Sequence, residues 1–241
     1  MSIPASTVSA GDGAGNRLIA AMVDADRHLL MAHATRVRMS FGDELTAADQ
    51  PIEAAFFPQS GVASVVKPDG QGERVEICLI GREGFSGAAL VSGDGRWPYR
   101  TFVQTPELAA WRVEAGALEQ CLEQSASLRR VLTRATYSLF IQVAEGLVSA
   151  AGQKLEARLA RWLLMYRDRL ESDRIEVTHD FMARMVASQR TGVTSALHAM
   201  EGAGLIRSTR GTTMIVDPAG LKALADGGYG IAEVEAARVG R

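Results

Sequence analysis

The chain has 241 residues, 47% of them hydrophobic and 22% charged, with a formal net charge of −2 at pH 7. That length and apolar content allow two ordinary domains with their own cores and exclude a disordered chain. The near-neutral balance excludes indiscriminate coating of nucleic acid. No apolar run reaches a membrane span, and the start lacks a basic segment followed by an apolar run, so a cytoplasmic protein is expected.

Residues 1–15 are rich in Ser, Gly and Ala and read as a flexible tail. From about residue 30 to 113 short apolar runs are broken by glycine turns. Segments 54–58, 62–67, 75–80, 101–104 and 108–113 read as strands, with a turn at 69–73. Many short strands at regular spacing predict an antiparallel sandwich or roll over a domain at 16–115. Residues 116–151 hold few helix breakers and read as one long central helix. Leu128, Leu132, Ala135, Leu139, Gln142 or Val143, and Gly146 recur about every 3.5 residues along it. Such a stripe suits packing on the chain's own first domain or pairing with a second copy, in which case Gln142 bonds its symmetry mate.

The segment 153–225 carries the strongest pattern. Thr178 is a good N-cap, and Phe181, Met182, Met185 and Val186 follow at helical spacing. Ala187 and Ser188 are small and suit a tight turn. A second helix buries Val193, Ala196, Leu197 and Met200 and exposes Gln189, Arg190, Thr191, Thr194, Ser195 and His198. Such a short polar face fits a major groove and reaches base edges. Glycines 202 and 204 end that helix. Two alternating stretches around Arg210-Gly211 then read as a hairpin, which completes a winged helix-turn-helix. Residues 153–222 hold 11 basic and 8 acidic side chains, near +3, against about −5 for the remainder. A modest local basic excess suits a site-specific DNA binder. Residues 226–241 read as a C-terminal tail.

These residues resemble the DNA-binding domain of the cyclic-AMP receptor protein and fumarate–nitrate regulator (Crp/Fnr) family of bacterial transcription factors. Thr178, Arg190, Val193, Leu197, Glu201, Gly204-Leu205-Ile206 and Arg210-Gly211 stand where the family pattern has them, and 154–164 resembles the domain's first helix. The resemblance implies an α+β chain: an N-terminal jelly roll of cyclic-nucleotide-binding type, a long central dimerisation helix and a C-terminal winged helix-turn-helix. It implies a homodimer on a palindromic double-stranded DNA operator, with RNA polymerase as a further partner and no enzymatic activity. DNA contacts would come from Thr178, Ser188, Gln189, Arg190, Thr191, Thr194, Ser195 and Arg210, and pairing from the stripe Leu128 to Gly146. Thr191 and Ser195 stand where the best-known members have a glutamate and a second arginine, so the operator should differ.

The family's sensor holds a phosphate cassette, and here its place is taken by Gly87, Ala88, Tyr99, Arg100 and Thr101. Ala88 replaces the glutamate that grips the ribose hydroxyl. The implied pocket therefore suits another small anion, or the loop is structural, and cyclic AMP is not expected. Cys78 and Cys121 are too few for the family's iron–sulfur cluster. His28 and His33, five apart, suit one helix face poorly, so no metal or other cofactor is expected. His179 and His198 read as surface or phosphate-contacting residues. The alternative function is a ligand-binding module whose winged helix serves protein contact.

Overall fold

The computed structural model describes residues 15–68 and 74–239. Most of the expected N-terminal tail and the turn expected at 69–73 lie outside the described residues. In chain order, α1 (Arg17–Ala20) and α2 (Asp24–Met31) precede β1 (Ala34–Ser40), β2 (Glu44–Thr46), β3 (Ala54–Ser60), β4 (Ala63–Pro68) and β5 (Arg74–Ile80). Next come α3 (Ala88–Val91), β6 (Arg100–Val103) and β7 (Glu107–Glu114), then α4 (Ala115–Gln124), α5 (Ala126–Gly152) and α6 (Leu155–Leu170). The last part holds β8 (Arg174–Ile175), α7 (His179–Met185), α8 (Arg190–Gly202), β9 (Ile206–Thr209), β10 (Thr212–Ile215), α9 (Pro218–Leu224) and α10 (Ile231–Ala237).

β1 to β7 form two antiparallel sheets, in the orders β1-β7-β3 and β2-β6-β4-β5. Leu45, Phe56, Val65, Cys78, Ile80, Val103 and Leu108 fill the space between them. This is the antiparallel roll that the alternating runs predicted. β1 escaped the sequence reading because it is an edge strand with no fully buried residue, so it has no apolar face to alternate with.

The expected single helix at 116–151 is two helices. Ser125 is extended (φ −128°, ψ 110°), and its hydroxyl caps α5 by accepting from the Leu128 amide at 3.1 Å. The same hydroxyl donates to Asp26 on α2 at 2.6 Å, which ties the break to the N-terminal helices.

The stripe read as a pairing seam also needs correction. Leu128, Leu132 and Ala135 are buried in their own protomer, in one cluster with Leu30, Phe85, Leu90 and Trp111. Leu139 and Val143 pack against the cores of the roll, and Gly146 lies against Arg161. Gln142 is engaged within its own chain. Its side-chain oxygen accepts from Leu79 N at 2.7 Å and its amide donates to Leu79 O at 3.1 Å, so it pairs with the free edge of β5 as a backbone amide would. The other face of α5 leaves Tyr137, Phe140, Leu147 and Val148 exposed.

Nor is 226–241 a plain tail. Gly230 N–H donates to Glu233 Oε2 at 2.8 Å and starts α10, which packs on α5 with Ala232 buried. Ile231 and Val234 remain exposed, so the segment shows no inward apolar stripe in sequence.

The second domain docks on the outer face of the four-stranded sheet. Val66, Leu79 and Phe102 of the roll share a core with Trp162, Tyr166, Met182 and Met185. At this junction the Glu76 carboxylate on β5 accepts from Ser64 Oγ (2.7 Å), Gln104 Nε2 (3.0 Å) and Trp162 Nε1 (2.8 Å). Burial pushes its pKa up to about 7, against the opposing pull of those three donors and of the Arg169 charge. The folded state thus keeps a proton that the unfolded chain sheds near pH 4.5, so this group's contribution to stability falls as pH rises from about 4.5 to 7. Glu76→Gln should gain about 3 kcal/mol relative to wild type across that window. Thermal or urea unfolding between pH 4.5 and 7.5 measures it, and a wild-type-to-variant difference independent of pH would contradict the assignment.

Candidate nucleic-acid interface

The helix-turn-helix is built from local chemistry. Thr178 Oγ1 accepts from Phe181 N at 3.2 Å and starts α7, which buries Phe181, Met182, Ala183 and Met185. The turn that follows places Ala187 at φ +49°, a left-handed conformation stabilised where the Ser188 amide donates to Ala183 O at 2.8 Å. Arg158 on α6 donates to Val186 O at 3.0 Å and holds the turn from below. α8 then begins at Arg190. It buries Val193, Ala196, Leu197 and Met200, as its apolar spacing predicted. A side chain at Gly192 would press on Leu155 Cδ2 at 3.0 Å, so a glycine lets α8 sit close to α6.

The outer face of α8 is open. Gln189, Arg190, Thr191, Ser195 and His198 are exposed, while Ser188 and Thr194 are half-buried. Gln189 makes no side-chain cap bond, so the first-turn amides of α8 point outward without a side-chain acceptor. Free amides at a helix start suit a phosphate. Thr194 and Ser195 hydroxyls donate to Arg190 O (3.0 Å) and Thr191 O (3.1 Å) on their own helix, so they present lone pairs outward. With the Thr194 proton so committed, His179 Nδ1–H donates to Thr194 Oγ1 at 3.1 Å, and Nε2 is left to accept from Ser208 Oγ at 3.5 Å. Burial first, then the nearby Arg190 and His198, lower the His179 pKa and favour this neutral form. His179 therefore bridges α8 and the wing rather than lying free on the surface.

β9 and β10 form the wing, with β8 as a third strand. Glu201 at the end of α8 accepts from Ser208 N at 2.9 Å and fixes the wing to the helix. Gly211, at φ +75°, makes the tight turn beside exposed Arg210. Among the described residues, no carboxylate pairs with Arg190, Arg207 or Arg210, whereas Arg167, Arg169, Arg174 and Arg184 all have acidic partners. Arg190, Arg207 and Arg210 are thus among the domain's cations that no carboxylate neutralises, and all three lie on α8 or the wing.

Residues 157–224 match the family model of the Crp-like helix-turn-helix domain. The chain carries a Crp-like helix-turn-helix domain. Over most of its length its fold is similar to those of solved Crp/Fnr regulators. It is similar to a structure assigned to that family from Eubacterium rectale (16% identity, TM-score 0.68, covering 87% of this chain and 98% of the other). A Crp-family transcriptional regulator from Thermus thermophilus gives 20% identity and a TM-score of 0.66 over 79% and 96% of the two chains. The c-di-GMP-responsive global regulator CLP of Xanthomonas campestris gives 16% and 0.61 over 80% and 99%. No curated protein matches the chain.

In this Crp-like domain the structure brings Ser188, Gln189, Arg190, Thr191, Thr194 and Ser195 together along the start of α8, with Thr178 one helix away and Arg210 on the wing. Arg207 and Arg158 were missed in the sequence. Arg207, exposed on β9, could have been found from the strand alternation, since Ile206 faces inward. Arg158 had no signal, because its role is to hold a turn 28 residues away.

The expected effector residues are not brought together. Gly87 (φ +89°) packs on Ala55 and starts α3, where a side chain would be both strained and crowded. Ala88 is buried in the core of α3 and α5. Tyr99 stacks edge-on against Trp97 with ring centres 5.3 Å apart, and Thr101 is buried. Arg100, the expected anion ligand, pairs with Glu44, donates to Gly42 O at 3.1 Å and lies over the Phe102 ring at 4.8 Å. Its charge is paired with Glu44, although its buried Nη1 has no hydrogen-bond partner among the described residues, and it does not line the cavity beside Ala88. Cys78 is buried on β5, and burial with the neighbouring Glu76 pushes its thiol pKa up, so it is not a reactive or ligating thiolate.

Arg190 is the exposed cation at the tip of α8. Arg190→Ala should cost roughly 1–3 kcal/mol in affinity for a duplex selected from random sequence, and much less for scrambled DNA. Fluorescence anisotropy on both duplexes tests this, and an equal loss on both, or none, would remove Arg190 as a base reader.

Proposed function

We propose that this Crp/Fnr-like regulator is a sequence-specific DNA-binding protein that acts as a homodimer on a palindromic operator. Its sensor half would set the orientation of the two recognition helices, and it would work in the cytoplasm, with RNA polymerase as a partner where it activates. The observation that carries the reading is the exposed, unneutralised Arg190 on a polar helix face that opens at a helix N-terminus. Thr191 and Ser195 present weaker base readers than a glutamate and an arginine, so the operator would depend less on cytosine and guanine at those steps. Thr178, Ser188, Gln189, Thr194 and Arg210 would add phosphate and edge contacts around Arg190.

The dimer reading rests on the outer face of α5. Thr133, Tyr137, Phe140, Ala144, Leu147 and Ala151 recur at alternating steps of four and three, the spacing of a coiled-coil seam. Phe140 is 64% exposed and Leu147 71%, values out of place on a solvated helix. A helix of 27 residues is about 40 Å long, enough to support a paired seam. A second copy laid along it two-fold would bring two α8 helices to successive major grooves.

Phe140→Asp or Leu147→Asp should therefore split the dimer while leaving each protomer folded. Sedimentation velocity at micromolar concentration, with circular dichroism as the folding control, reads this. Leu132→Asp, by contrast, should unfold the sensor half because it puts a charge into a closed core. A Phe140→Asp protein that stays dimeric would rule out the α5 seam.

A further inference from the structure

α10 closes one side of a cavity that takes in Ala88 of the expected effector residues but not Arg100 or Thr101. The cavity measures about 470 Å³, within the size range of small-molecule sites. Thr136 and Leu139 of α5, Phe85 and Ala88 of the segment after β5, and Ala236 of α10 all line it. It therefore touches the sensor loop, the central helix and the C-terminal helix at once. Asp168 and Arg169, at the end of α6, bring the second domain to its rim.

The charges at the rim select the ligand. Both cations there are already paired: Arg169 with Glu83 at 2.9 Å, and Arg17 with Glu171. Gln142 is committed to Leu79. Two further carboxylates remain. Asp168 accepts from Tyr229 OH and has Arg167 only at 3.9 Å, while Arg167 is itself held by Asp173. Glu233 accepts from Gly230 N–H and has no ion-pair partner among the described residues, although it feels the charge of Arg161. The lining thus carries two neutralised cations and three carboxylates around an apolar interior. Such a rim repels a phosphate or sulfonate and accepts a neutral or cationic donor.

We propose that this cavity binds a small amphipathic molecule with an apolar ring body and a neutral or cationic amine head, and that its occupancy holds α10 and the end of α6 against the sensor. The binding claim stands on the cavity alone. Its link to DNA affinity rests on the proposed regulator function.

Full-length protein is titrated with N-phenyl-1-naphthylamine, a neutral aromatic amine, and with 8-anilinonaphthalene-1-sulfonate, which adds a sulfonate to the same body. Expected are saturable, blue-shifted emission with one amine per chain and sulfonate binding weaker by roughly ten-fold. Ala236→Trp on α10 and Thr136→Trp on α5 should each fill the cavity and weaken the amine by about ten-fold or more. Phe140→Asp should leave it bound, which separates the cavity from the apolar face of α5. Should one tryptophan variant fail to fold, the other decides. Equal affinity in a folded tryptophan variant, equal affinity for the sulfonate, or emission that never saturates would each overturn the site. Saturating amine should also change affinity for the selected duplex about three-fold or more. No change, with binding intact, would overturn the regulatory half. If no duplex can be selected at all, the regulator reading has failed, and the dye titrations still judge the cavity.

Discussion

The structure turns on the burial of α6. Ala157, Leu159, Ala160, Trp162, Leu163, Leu164, Met165 and Tyr166 are all buried, so this helix is covered on nearly every side. Charged residues such as Arg158, Arg161 and Asp168 interrupt its apolar surface, yet none of its residues is fully exposed, so it is an internal element. Here α8 and α9 cover it from one direction and the outer sheet of the roll from the other. Trp162 Nε1 reaches Glu76 across that boundary, and Arg169 reaches Glu83. The recognition helix is therefore not loosely tethered. Its direction relative to α5, and to any axis along α5, is set by how α6 sits on the roll.

That placement couples the β-roll to the second domain through a shared core. Any event that shifts β5, the loop after it or α10 acts on α6 directly, through packed side chains and without a long relay. The Glu76 cluster illustrates the balance. A carboxylate drawn from water by docking is held there by three donors, and burial raises its pKa despite them. The segment between α9 and α10 adds a second bridge. Gln153 at the end of α5 donates to Ala225 O at 2.7 Å, Arg161 donates to Gly228 O at 2.8 Å, and Tyr229 donates to Asp168. The chain leaving the DNA-binding domain is thereby brought back onto the central helix.

How far the sequence could be read follows from where each signal lies. The helix-turn-helix was legible because its signals are local and agree: the Thr178 cap, the Val193 to Met200 spacing and the Arg210-Gly211 turn all fall within about forty residues. The roll was legible from its alternating interior strands but not from its edge strand β1. α5 was misread because it carries two stripes at the same spacing. Leu128 to Gly146 and Thr133 to Ala151 both suit a seam, and only the folded sensor decides which of them it covers. The effector residues were misplaced for a similar reason. Arg100 looks free in sequence, yet its partner Glu44 lies 56 residues earlier, on the neighbouring strand β2. The α10 cavity draws its lining from five separate segments, and of the expected effector residues only Ala88 is among them.

The central claim is that two α8 helices, set by α5 pairing and α6 docking, read one palindrome in fixed register. A phasing experiment tests it most directly. A selected duplex with two inverted half-sites is compared with one in which about five base pairs, half a helical turn, separate them further. The account predicts that the insertion reduces affinity to that of a single half-site, since one half-site then faces away from its recognition helix. Equal affinity for both duplexes would contradict a rigid two-fold reader and leave the helices acting independently.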